Sequence, residues 1–243
     1  MIVPNSIQFW IILYATVAVV IIKFSIVMYL SVKIHKRKKE GSLAVPFMRG
    51  FMLLILCLFI SRLFYMAFDF YFTTGPAQAF DQTLYANHPG VYFWQIAQFI
   101  TSIGLGIITF MTDRILLNFK FKGIFAYIVL AGGIFALVYP VNNFNDFNFV
   151  ETVGILPDLG LIVTFACLVN IAVKTTGIVR RNASILIVAI VCYIIASLVV
   201  NASVINGLTT LLGIQMDVYV YLMQAILKII GITLMAYGAS RWM

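Results

Sequence analysis

YLMQAILKIIGITLMAYG, residues 221 to 238, is an almost unbroken apolar run with a single lysine, Lys228, near its middle. Wound as a helix at about 1.5 Å per residue, this run and its flanks, 218 to 239, match the ~30 Å hydrocarbon thickness of a bilayer. Six further runs of the same kind precede it, near 7 to 33, 48 to 72, 91 to 113, 123 to 141, 153 to 173 and 183 to 205. The composition agrees. The 243 residues are 63% hydrophobic and 10% charged, whereas a soluble domain averages about 45–50% and 25%. The expectation is an all-α membrane protein, a single domain over 1 to 243 forming a seven-transmembrane-helix bundle. The connectors are too short to hold a soluble catalytic or signalling domain, so any activity resides in the bundle.

Orientation follows from charge. Lys33, Lys36, Arg37, Lys38, Lys39, Arg49, Arg114, Lys120, Lys122, Lys174, Arg180, Arg181 and Arg241 fall at ends and connectors that share one side. The positive-inside rule makes that side cytoplasmic, with the N-terminus outside and the C-terminus inside. The opposite connectors carry Asp81, Asp146, Glu151 and Asp217 and no basic residue. The net charge of +8 therefore belongs to an inner rim facing anionic lipid headgroups, and not to a nucleic-acid surface. The first span lacks the basic leader of a signal peptide and is expected to be retained. Cys57, Cys167 and Cys192 lie in three different spans, so no disulfide is expected. TTGPAQAFDQTLYANHPG (73 to 90) and the asparagine-rich NNFNDFNF (142 to 149) read as outer loops.

Topology leaves three cations unexplained: Lys23, Arg62 and Lys228, each near mid-depth. A cationic side chain facing lipid there costs about 2.5–3.5 kcal/mol even on the lenient insertion scale, so these residues should face the bundle interior. In the last span Asp217, Tyr221, Gln224 and Lys228 stack on one helix face at i, i+4, i+7 and i+11. In the third, Gln95, Gln98, Ser102, Gly106, Thr109 and Asp113 form a second stripe of the same period. Ser102, Gly104, Gly106 and Thr109 read first as packing contacts between helices. The acids within reach, Asp69 at i+7 from Arg62 and Asp158 after Pro157, are outnumbered by the three cations. Three arrangements satisfy such an interior. A lysine sits there uncharged, an anion completes the site, or the cations pair internally, Arg62 with Asp69 and Lys228 with Asp158, while Lys23 snorkels.

The seven spans and LMQAILKIIGITL, with Lys228 near its centre, resemble the last helix of the microbial rhodopsins. That resemblance implies retinal bound to Lys228 as a Schiff base. The chain departs from the family's pattern at Gln224, where an aspartate is usual, at Gln95 and Gln98, where an arginine and a counterion aspartate are usual, and in a sixth span without tryptophan or proline. Asp113-Arg114 at the inner end of the third span resembles the acid-arginine pair of the G-protein-coupled receptors, with Ile115 where an aromatic is usual. Small seven-helix sugar transporters are similar in length, yet here only Pro140 and Pro157 approach the spans, both at their ends. The two histidines, His35 and His88, lie in connectors on opposite sides and cannot share a metal or catalytic site.

These residues lead to an expected plasma-membrane receptor or sensor that binds a small anionic or amphipathic ligand in an outward-facing polar cavity. Lys228 is the principal contact, Arg62 and Lys23 are secondary, and Gln95, Gln98, Gln224 and Tyr221 donate hydrogen bonds, with Asp69 and Asp158 nearby. Asp113 and Arg114 sit at the inner mouth as a switch read by a cytoplasmic signalling partner. A small-solute transporter using the same site is the alternative.

Overall fold

The computed structural model describes residues 7–40, 44–71, 90–154, 157, 159–199, 210 and 217–242. Among them the chain is helical apart from short turns, with no strand. The helices are α1 (Ile7–Lys39), α2 (Val45–Met66) continued by a π-helical turn (Ala67–Tyr71), α3 (Val91–Leu116), α4 (Ile124–Val138), α5 (Phe144–Val153), α6 (Leu159–Lys174), α7 (Gly177–Leu198) and α8 (Asp217–Ser240). Five of these, α1, α2, α3, α7 and α8, are long and apolar enough to cross a membrane. The protein is therefore an integral membrane protein by the length and composition of its helices.

The ends of the helices differ from expectation for local reasons. The first helix runs six residues beyond its expected end at 33 to Lys39, because Lys36 to Lys39 are good helix formers whose charge complements the helix C-terminus. At 33 residues it is about 50 Å long and must project beyond a ~30 Å core. The fourth is shorter than expected. It starts after Gly123 in the left-handed region (φ 76°) and stops at Tyr139, extended (ψ 126°) because Pro140 follows. α4 and α6, with 15 and 16 residues, are the two shorter apolar helices of the bundle.

The asparagine-rich stretch expected as a loop forms most of α5 instead. The Asn143 side chain accepts a hydrogen bond from the amide of Asp146 at 2.9 Å, and the Asp146 carboxylate accepts one from the amide of Asn142 at 3.0 Å. This reciprocal capping starts a helix whose apolar face, Phe147 and Val150, is buried. Phe147 packs on Trp94 of α3, with ring centroids 4.7 Å apart. The long connector expected over 73 to 90 lies almost wholly outside the described residues.

Seven helices close a ring in chain order: α1 on α2, α2 on α3, α3 on α4, α4 on α6, α6 on α7, α7 on α8 and α8 back on α1. α3 also contacts α6, and α2 contacts α8, across the ring. Close approaches depend on missing side chains. A Cβ on Gly133 of α4 would collide with Ser102 of α3, and one on Gly231 of α8 would stand 3.0 Å from the Ala189 carbonyl of α7. Small residues at such crossings let backbones approach where lipid provides no hydrophobic drive. The half of the bundle where α1, α3 and α8 end is filled by apolar residues. Phe47, Ile108, Leu168, Leu186, Met235 and Trp242 belong to one continuous core there.

Candidate functional site

The opposite half holds smaller apolar clusters and an open space. A cavity of about 530 Å³ lies among α1, α2, α3, α6, α7 and α8, in the half where α1, α3 and α8 begin. That volume falls in the range of small-molecule sites, roughly 300–1,000 Å³. Leu58, Leu105 and Leu161 line it and are themselves buried members of the apolar core, so they form its floor.

One wall is cationic. Lys23, Arg62 and Lys228 come from three helices and meet at the cavity, where they repel one another. Lys23, only 3% exposed, donates from Nζ to the Leu58 carbonyl at 2.8 Å. That carbonyl has a second lone pair left after its helical bond. Arg62 donates to Thr16 Oγ1 at 3.2 Å and stands 3.8 Å from the carboxylate of Asp69. The π-helical turn that carries Asp69 keeps it beside Arg62 of the preceding helix. Lys228 has no hydrogen-bond or ion-pair partner among the described residues. Gln224, one turn before it, is 7% exposed, lines the cavity and likewise carries no hydrogen bond among the described residues.

The other expected contacts divide. Gln98 lines the cavity, but its amide is occupied: Oε1 accepts from the Tyr65 hydroxyl at 2.6 Å and Nε2 donates to the Gly154 carbonyl at 3.4 Å. Gln95 does not line it. It is buried toward α4 and donates to the carbonyls of Ala136 and Tyr139 at 3.0 and 2.8 Å, groups that the end of α4 leaves without helical partners. Tyr221 packs against Phe9 and Ile12 of α1, also off the cavity. Asp158 lies outside the described residues. Ser102 and Thr109 bond back to their own helix and sit against Gly133 and Gly160.

At the far end of α3 the carboxylate of Asp113 accepts from the amides of Phe121 at 3.1 Å and Gly123 at 2.7 Å. The turn it holds contains three non-glycine residues in the left-handed region, Asn118, Phe119 and Lys122. Such positions are strained and persist where surroundings fix them, here a buried carboxylate. Arg114 is exposed beside it.

Several cavity residues are not singled out by the sequence: Ser61, Tyr65, Thr101, Tyr193 and Ser197. For two of them a signal existed. Ser61, Arg62, Tyr65 and Asp69 follow one another at helical spacing, a polar stripe in the second span as regular as that of the last. No group of histidine, cysteine and carboxylate side chains able to hold a metal occurs among the described residues. Compared with known protein families, with curated proteins and with solved structures, the chain finds no match in any of the three.

Proposed function

We propose that this chain is a seven-span receptor or sensor of the plasma membrane that binds a small anionic or amphipathic ligand in its cavity. The observation that carries the reading is the combination of Lys228 and Gln224. An ammonium and an amide face a cavity of ligand size, and no described residue takes up their hydrogen bonds. An anion completes them, with Arg62 and Lys23 adding to the field. The cavity is blind, since a packed apolar core lies beneath Leu58, Leu105 and Leu161. A blind site favours a receptor over a carrier, which needs a path to the other side.

In this reading α4 and α6 also span, because both stand in the closed ring between helices that are long enough. The N-terminus is outside and the basic rim is cytoplasmic. Cysteine labelling at Lys36 and Asp146 should find them on opposite sides. The ligand signal passes along α3, which lines the cavity at one end and holds the Asp113 turn at the other. The exposed Arg114 and the neighbouring basic residues form the surface that a cytoplasmic partner reads.

The test is ligand-dependent stability of the purified protein in neutral detergent. An anion at about 100 times its Kd adds about 2.7 kcal/mol to the folded state. The parent should gain this increment and Lys228→Met should lose it. Equal gains in both would refute the site. Added retinal provides the control for a rhodopsin-like chemistry, since a visible absorption band that disappears in Lys228→Met would replace the receptor reading with that one.

A further inference from the structure

The cavity has two unlike walls, and its unlikeness extends to the perimeter of the bundle. Lys23, Arg62, Gln224 and Lys228 lie on α1, α2 and α8. The α6 and α7 side is mostly apolar, with Leu161, Ile162, Ile194 and Leu198. Ile162 and Leu198 line the cavity and are nevertheless 55% and 60% exposed. A residue that lines a cavity and is also more than half exposed stands at its edge. In a membrane-embedded bundle such an edge, made of two apolar side chains on neighbouring helices, faces hydrocarbon and not water. Toward the basic rim the gap is shut. α6 and α7 are joined there by only residues 175 and 176, and Leu168, Ala183 and Leu186 are packed solid.

We propose that the ligand is a single-chain anionic amphiphile that enters sideways from the bilayer between α6 and α7. Its carboxylate lies against Lys228, Gln224 and Arg62, and its apolar chain runs past Leu161 and Ile194 and out between Ile162 and Leu198. The identification deepens the anion-binding reading and rests on it. The head chemistry follows from the excess of cations among the described residues: three ammonium or guanidinium groups face the cavity, and the described carboxylate nearby, Asp69, already stands against Arg62. The tail chemistry follows from the apolar wall, which a small hydrophilic anion would leave unfilled or wetted. Entry from the side also spares the carboxylate-bearing chain a passage through water, since its tail never leaves hydrocarbon.

The experiment uses the full chain in nanodiscs of zwitterionic lipid. Binding is measured for acetate, octanoate, laurate, dodecanol and a two-chain anionic phospholipid added to the same discs. Laurate is expected to bind at least tenfold more tightly than octanoate in terms of free aqueous ligand, because each buried methylene contributes a factor of about four, and acetate weaker still. Dodecanol, with the chain and no charge, should bind at least tenfold more weakly than laurate. Lys228→Met should lose the preference for laurate over dodecanol while Lys228→Arg retains it, so a folded, charge-conserving variant stands beside the neutral one. Ile162→Trp, which narrows the edge without touching the cationic wall, should slow laurate association severalfold, and an unchanged association rate would overturn entry between α6 and α7. If acetate binds as well as laurate, the amphiphile is wrong while the anion site stands. If dodecanol matches laurate, or neither a carboxylate nor the anionic phospholipid binds, the anion site itself fails and takes the inference with it. If only the two-chain phospholipid binds, the single-chain ligand is replaced by a membrane lipid.

Discussion

Replacing Lys228 with methionine keeps an unbranched side chain, one atom shorter, and removes its charge. The effect on stability depends on whether that charge has a partner. Lys228 lines the cavity, is repelled by Arg62 and attracted by Asp69, while Lys23 is repelled by both cations. Asp69 already stands 3.8 Å from Arg62, so its attraction is shared. Removing the ammonium therefore relieves more repulsion than it forfeits attraction in the empty protein. Apolar replacement of buried charge is neutral to stabilising by about 1–4 kcal/mol. We expect a gain at the low end, about 1–2 kcal/mol, which in a chain of this size raises the unfolding midpoint by about 2–8 °C. The assay is thermal unfolding in detergent without added ligand, on the parent, Lys228→Met, Asp158→Asn and the double variant. The opposite result has its own signature. If Lys228 is held by Asp158, each single change strands a buried charge and destabilises by about 3–5 kcal/mol, or about 6–20 °C, and the double variant recovers most of it. Such a cycle would refute the ligand site and leave a structural ion pair in its place.

Asp113→Ala removes two charge-assisted hydrogen bonds from the turn before α4 and should lower stability by about 2–4 kcal/mol, read by the same thermal scan, with Asp113→Asn losing less. Gln95→Leu strands the carbonyls of Ala136 and Tyr139 and should destabilise by about 1–3 kcal/mol while leaving laurate affinity within twofold, because the residue faces away from the cavity. Gly231→Leu forces a side chain toward the Ala189 carbonyl and the Tyr193 amide, 3.0 and 3.2 Å from the first added carbon, and should cost about 1–3 kcal/mol or abolish folded yield on size-exclusion chromatography.

Membrane character and the interior placement of Lys23, Arg62 and Lys228 are legible in the chain, because each follows from a local quantity. Apolar run length compares with bilayer thickness, and the energy of a lone cation in hydrocarbon is large whatever its neighbours. The Gln224 and Lys228 part of the last span's polar column is legible for the same reason, since helical periodicity is a one-dimensional signal, while Tyr221 of the same column packs against α1 instead. What periodicity leaves open is which polar side chain is spent on a neighbouring backbone. Gln95 and Gln98 look alike on the wheel, yet Gln95 is used up by the carbonyls that α4 exposes when Pro140 ends it, and Gln98 by Tyr65 and the end of α5. Gln224 on α8 meets no such helix end and keeps its amide for the cavity. The asparagine-rich stretch shows the same limit from the other side. Its composition reads as a loop, but the reciprocal caps of Asn143 and Asp146 and the burial of Phe147 against Trp94 turn it into a helix. Likewise, no property of Ile162 or Leu198 in the sequence marks the edge of a cavity. That position exists only because α6 and α7 pack tightly near their short connection and leave space at their other ends, a relation between two helices that neither sequence segment contains.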